Sequence, residues 1–267
     1  MSPLHVLVTR PREQAQRWVR ELASFGVKAH ALPLIDIGEA ADAAPVVQAW
    51  QGIASQALVM FVSANAVRQF FALKPAHVTW PQALRAASTG PGTTAALREA
   101  GVASAHIVAP ADDGPYESEA LWQRLVHEPW QGAQVLVVRG EQGRDWLAQQ
   151  WREKGATVHF VNAYRRMLPQ WQDADAQRCD EAIAKPDTTL WLFSSSEAVA
   201  NLRRLRPGAN LAAGQALCTH ERIAETARAI GFVQVHSVAP RAADVAAVAA
   251  TLAQGPSAGP SVESPAP

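Results

Sequence analysis

Six short clusters hold the residue types that could do chemistry in this chain: Thr9-Arg10-Pro11, Ser63-Ala64-Asn65, Thr89-Gly90-Pro91-Gly92-Thr93-Thr94, Arg139-Gly140-Glu141-Gln142-Gly143, Ser194-Ser195-Ser196-Glu197 and Thr219-His220-Glu221-Arg222. Small hydroxyls and glycines let backbone amides approach a ligand closely, which suits a binder of carboxylates or phosphates, with Arg10, Arg139 and Arg222 as charged partners. Each cluster alone also reads as ordinary structure, because Ser, Thr and Asn cap helices, Gly closes tight turns and Pro11 suits a first helical turn. It is the set of six that points to anion binding. Tyr164 stands apart: it is one of two tyrosines, it is followed by Arg165 and Arg166, and a phenol can donate a hydrogen bond or a proton. On position alone it reads equally well as an amphipathic tyrosine packing an interface.

Other chemistries find less support. Gly90-Pro-Gly-Thr-Thr-Ala95 fits the dinucleotide fingerprint G-x-G-x-x-A, and Asp112 lies where a ribose-binding acid could sit. However, it opens on a short, poor strand (84–88), lies in mid-domain, and its later duplicate at Thr219 has no glycine. No Walker-type loop occurs, Ser194–Ser196 lacks the G-x-S-x-G elbow, and the eight histidines form no H-x-x-H or H-E-x-x-H pair. Cys179 and Cys218 have no metal-type spacing and read as inert buried residues. A formal net charge of zero supplies no field to hold nucleic acid or an anionic membrane. No run approaches 18 apolar residues and no basic leader precedes the first strand, so the expectation is a soluble cytoplasmic protein.

The elements that must position these clusters follow from periodicity. Apolar runs at 4–8, 58–62, 135–138 and 190–193 each precede residues at helical spacing, such as Ala15, Trp18, Val19, Leu22 and Phe25. Several such helices end in a glycine followed by a new strand, at Gly26, Gly101, Gly155 and Gly231, as a left-handed C-cap requires. Repeated strand–helix units predict an α/β fold with parallel sheets, and ligands beyond the C-terminal strand ends. The pattern is also duplicated. His5–Arg10 returns about 129 positions later as Gln134–Arg139, Phe61–Val67 returns as Phe193–Val199, and 85–110 aligns without a gap on 215–240. Two similar lobes with a cleft between them are expected. Two extended segments, 32–38 and 160–169, occupy equivalent points in the repeats and are the candidate interlobe connections. Residues 255–267 are Gly, Pro, Ser and Ala with one Val and one Glu, and are expected to be a disordered tail.

These residues resemble a known family. Val6-Leu-Val-Thr-Arg-Pro11, Pro33-Leu-Ile-Asp-Ile37, Phe61–Val67, Ser194–Val199, Arg139–Leu147 and Thr219–Phe232, in that set and with Tyr164 in place, are similar to bacterial uroporphyrinogen-III synthases from about Val6 to Val248. The resemblance implies that about 1–36 joins about 168–254 as one lobe, that about 39–164 forms the other, and that the two extended segments pair as a two-stranded linker. The repeats themselves fit a contiguous split near residue 130 equally well. It further implies that the substrate is hydroxymethylbilane, a linear tetrapyrrole with eight carboxylates, closed to a macrocycle with its last pyrrole inverted and loss of water, a lyase reaction without cofactor or metal. Tyr164 matches the family's tyrosine and would hydrogen-bond the leaving hydroxyl, while the six clusters, including Gly90, Gly92, Thr93, Ser195 and Ser196, would anchor the carboxylates. The Thr219-His220-Glu-Arg222 turn departs from the Gly-Pro-Thr-Thr type of some relatives. A monomer, in transient contact with the preceding pathway enzyme, is implied too. Two other readings stay open: a two-lobed small-molecule binding or sensor protein, and a nucleotide-dependent α/β enzyme.

Overall fold

The computed structural model describes residues 4–111, 118–141, 143 and 145–253, so the expectations placed on Asp112 and on the tail 255–267 lie outside the described residues. In chain order the elements are β1 (His5–Val8), α1 (Arg12–Ser24), β2 (Ala29–Ala31), β3 (Asp36–Glu39), α2 (Ala44–Gln51), β4 (Leu58–Phe61), α3 (Ala64–Ala72), β5 (Arg85–Ser88), α4 (Pro91–Glu99), β6 (Ile107–Val108), α5 (Ser118–Leu125), β7 (Gln134–Gly140), α6 (Trp146–Glu153) and β8 (Thr157–Met167). They continue with α7 (Asp173–Ala184), β9 (Thr189–Phe193), α8 (Ser196–Leu205), β10 (Gln215–Cys218), α9 (Glu221–Ala229), β11 (Gln234–Ser237) and α10 (Ala242–Ala253). The chain forms two compact units, residues 1–36 with 167–267 and residues 37–166. It passes between them within β3 and at the end of β8, which are hydrogen-bonded neighbours in one sheet.

The duplication is visible strand by strand. The first unit's sheet runs β11-β10-β9-β1-β2, and the second runs β6-β5-β4-β7-β8 with β3 added beyond β8. Register is preserved: Val6 pairs with Ala29 and Leu190, as Val135 pairs with Val158 and Leu58, and Trp191 pairs with Ala216 as Val59 does with Ala86. All of these pairings are parallel. β4 and β9 are buried along their whole length, which explains their unbroken apolar sequences, since helices cover both faces of the sheet.

Two expectations need correction. The gapless match of 85–110 to 215–240 does not hold in the pairing: Ala216 faces Val235, whereas Ala86 faces Ile107 instead of Ala105. A 3₁₀ turn over Ser104–His106 takes up two residues, and a two-residue slip keeps the same side chains on the same face. Phe25, read as part of the apolar face of α1, is 53% exposed. The helix stops at Ser24 and Gly26, at φ 73°, turns the chain away, while Ala15, Trp18 and Leu22 remain buried. The other three predicted glycine reversals also lie at positive φ, at Gly101, Gly155 and Gly231.

Candidate functional site

In the second unit the geometry centres on Tyr164. β8 carries it beside β7, and β7 lies beside β4, which leads into Ser63. Between Arg139 and Gly140 the ladder is irregular: Arg139 faces Asn162 but Gly140 faces Tyr164, so Ala163 is extra. That β-bulge has a consequence for direction. Simple alternation would put Tyr164 opposite Ala163, yet both belong to one core cluster with Phe61, Val67 and Phe70. Tyr164 is 2% exposed, and its hydroxyl lies 3.1 Å from Ser63 Oγ. The Ser63 oxygen also accepts the Ala66 N–H at 3.1 Å as the N-cap of α3. Gly140 is the floor beneath the ring: a Cβ there would stand 2.9 Å from Tyr164 Cε2 and 3.0 Å from Cζ.

Tyr164 lines a cavity of about 200 Å³ together with Met60, Val62, Thr89, Arg139, Phe160 and Arg166. This is below the roughly 300–1,000 Å³ of pockets that enclose whole drug-sized ligands, so it can take part of a large molecule. Arg139 stacks on Phe160 at 4.1 Å from the ring centroid and pairs with Asp145, while its Nε–H is buried without an acceptor. No sequence motif singles out Phe160 or Asp145, since an aromatic in an alternating strand and an acid before a helix are both commonplace. The remaining predicted residues of this unit do not line that cavity: Gly90 caps α4 in extended conformation at φ −165°, Gly92 is exposed in its first turn with open space around it, Thr93 is buried, and Asn65 is half-buried in the first turn of α3. Thr94 shares a hydroxyl contact with Ser88 at 2.7 Å.

In the first unit the predicted residues gather at the C-terminal ends of β1, β9 and β10. Thr9 is 1% exposed and donates its hydroxyl to the Leu192 carbonyl at 2.7 Å, so it ties two strands together. Arg10 lies over the Trp18 ring at 4.6 Å. Ser195 caps α8 by accepting the Glu197 N–H, Ser196 donates to the Arg222 carbonyl at 3.4 Å, and the Ser194 hydroxyl is buried without a partner. His220 caps α9, its Nδ1 accepting the Arg222 N–H at 3.1 Å. Thr219 is half-buried, and Arg222 is exposed. Both cysteines are buried, with thiols pushed up to about 12 by that burial, so neither is a nucleophile at neutral pH.

Among the described residues no three His, Cys, Asp or Glu side chains are grouped to hold a metal ion, and no helix is long and apolar enough to cross a membrane. The family model for uroporphyrinogen-III synthase HemD matches residues 16–249. The uroporphyrinogen-III synthase of Salmonella typhimurium is 28% identical over 240 residues, which span 87% of this chain and 94% of that one. Its counterpart in Escherichia coli is 26% identical over 239 residues, with the same coverage of 87% and 94%. Among solved structures, a mutant uroporphyrinogen III synthase from Thermus thermophilus aligns at a TM-score of 0.57 and 17% identity, over 94% of this chain and 98% of that one. The Helicobacter pylori uroporphyrinogen-III synthetase aligns at 0.59 and 14% identity, over 93% and 99%. At such identities the structures speak for the fold, and the family match speaks for descent. The chain belongs to the uroporphyrinogen-III synthase family.

Proposed function

We propose that this chain closes hydroxymethylbilane to uroporphyrinogen III as a hydro-lyase, and that Tyr164 assists departure of the substrate's terminal hydroxyl. The family match over residues 16–249 carries the reaction. The assignment of Tyr164 is supported by its place in the lining of a cavity, with its hydroxyl hydrogen-bonded to Ser63 and its ring held against Gly140.

The chemistry asks little of the protein in the ionisation step. Loss of the hydroxyl as water leaves an azafulvene cation that the electron-rich pyrroles stabilise, so one hydrogen-bond donor near that oxygen suffices. Ser63 Oγ accepts from the Ala66 N–H at the positive end of α3, and its own proton can be donated to the Tyr164 oxygen. The Tyr164 O–H is then free to point at the leaving hydroxyl, in a chain in which each bond polarises the next. A phenol is a weaker acid than a carboxylic acid or an imidazolium, so the assistance should be at the low end of general acid catalysis or just below it, about 10- to 100-fold. After water has left, the substituted carbon of the last ring attacks the cation to give a spiro centre. The older bond from that carbon to its methylene bridge then breaks, leaving an azafulvene cation on the preceding ring. That methylene is captured by the last ring's free α-carbon, which loses its proton, so the macrocycle closes with the ring inverted. Selecting that carbon over the free one is a matter of holding the chain curled, which is orientation catalysis.

Anchors for the carboxylates are offered separately by each unit. Thr89, the backbone amides at Gly90 and Gly92, and Arg139 serve in the second; Arg10, Ser194, Ser195, Thr219 and Arg222 serve in the first. A monomer working in the cytoplasm fits this reading. To test it, the protein is incubated with enzymatically generated hydroxymethylbilane and the oxidised isomers are resolved by chromatography. Predominant type III product is expected, and type I product at the level of the protein-free blank overturns the assignment.

A further inference from the structure

Both strand-end arginines lie on an aromatic ring, but the two copies obtain that ring from different places. Arg10 and Arg139 are matched by the repeat, and their guanidinium carbons stand 4.6 Å from the centre of a Trp18 ring and 4.1 Å from the centre of Phe160. Trp18 belongs to α1, and the residue at its matched position on α6 is Leu147. Phe160 belongs to β8, and its match on β2 is Ala31, because Phe160 pairs with Val137 as Ala31 pairs with Val8. Each copy thus holds one ring, at positions that the repeat does not equate. The ring follows the arginine and not the repeat, which packing alone does not explain.

In the second unit the ring does what the other neighbours of Arg139 do not. The Arg139 side chain is 17% exposed, and its Nε–H is buried without an acceptor, so no hydrogen bond at Nε sets the plane of the guanidinium. Asp145 engages Nη1, but its own side chain is 60% exposed, and a pair with so open a partner is weak in water. Phe160 is half-buried and lines the cavity together with Arg139 and Tyr164. The face of a ring attracts a cation through its quadrupole. Unlike a carboxylate, it does so without accepting the in-plane N–H protons, so a guanidinium held flat on it keeps its fork for a bidentate acceptor. Arg152 also lies over this ring, at 5.4 Å, but it is exposed and does not line the cavity.

We propose that Phe160 is a positioning residue of the reaction: its electron-rich face holds the Arg139 guanidinium in one plane beside the cavity and leaves the in-plane donors to the substrate. The contact of Arg139 with the substrate rests on the function proposed above. Phe160 itself acts only through Arg139.

The test alters the electrons of the ring and not its shape. Phe160 is replaced by its mono-, di- and trifluoro analogues, which withdraw density from the face step by step. KM for hydroxymethylbilane should climb at each step, reaching about three- to tenfold with the trifluoro ring, while kcat and the fraction of type III product are kept. In an Arg139→Met background the same series should be flat, because the ring then has no arginine to place. Arg152→Gln should leave both KM and the fluorination series as in the parent. A KM indifferent to fluorination, in an enzyme that forms type III product, overturns the role of Phe160 and leaves the functional reading intact. A series that keeps its slope without Arg139, or loses it in Arg152→Gln, overturns that role as well. If the parent forms type I product only, the functional reading falls and takes the proposal with it.

Discussion

Gly140 sits in a strand, where glycine ordinarily weakens the ladder, and the reason is the ring above it. Because Tyr164 is packed among Phe61, Val67 and Phe70, it cannot step aside for a Cβ at 2.9 Å. Gly140→Ala should therefore cost about 1–3 kcal/mol of stability, as overpacking does. It should also displace the hydroxyl, lowering turnover by roughly tenfold. Urea unfolding and steady-state rates on one preparation check both, and a variant with native stability and turnover would mean that the ring has slack. Ser63 is a milder case with two roles. Ser63→Ala loses the cap of α3, worth about 1 kcal/mol, and the bond to Tyr164, worth about 0.5–1.5 kcal/mol or severalfold in rate. The expected result is a reduced kcat with KM nearly unchanged, and Ser63→Thr should restore most of it because the hydroxyl returns. A rise in KM with kcat kept would instead make Ser63 a carboxylate anchor.

At the scale of elements, the first sheet carries a built-in pH dependence. His5 on β1 and His30 on β2 lie edge to face at 5.5 Å, and both are lowered from their ordinary value. Burial is the largest cause for each, followed for His5 by the charge on His30, Lys28 and Arg178, and for His30 by Arg178 and Lys28. With folded values below the unfolded value of about 6.5, the unfolded chain binds more protons in that window. Stability is then full above about 6.5 and is lost as pH falls toward the folded values. Replacing both histidines by Gln should flatten the urea-midpoint profile between about pH 7 and pH 5; an unchanged slope would place the dependence elsewhere. The strand–helix units and the glycine reversals at Gly26, Gly101, Gly155 and Gly231 were legible in the sequence, because periodicity and positive φ leave marks on residue type. The bulge at Arg139–Gly140 was not, since it exists only in the pairing of β7 with β8. Tyr164 could be singled out as a scarce residue in an extended segment. Its partner Ser63, 101 positions away, is brought near only by the order β4-β7-β8.

For the whole molecule, the unequal continuity of the two units has a consequence for folding. Residues 37–166 are one uninterrupted segment with an apolar cluster on each face of its sheet. The other unit places β1 between β9 and β2, so its first 36 residues supply the interior strand β1 and the edge strand β2 to a sheet whose other three strands come after residue 167. A fragment spanning 37–166 should unfold cooperatively in urea with helical circular dichroism, whereas 167–267 alone should not; a non-cooperative 37–166 would contradict this. The same scale holds the central claim, a division of labour in which the fold chooses the attacking carbon and Tyr164 only hastens departure of the hydroxyl. Single-turnover reactions with enzyme in excess over hydroxymethylbilane, for the parent and Tyr164→Phe, separate the two most directly when rate and isomer are read together. The account predicts type III product from both proteins, formed about 10- to 100-fold more slowly by the variant. Type I product released from the Tyr164→Phe enzyme faster than from the protein-free blank, or type III at the parent's rate, would contradict it.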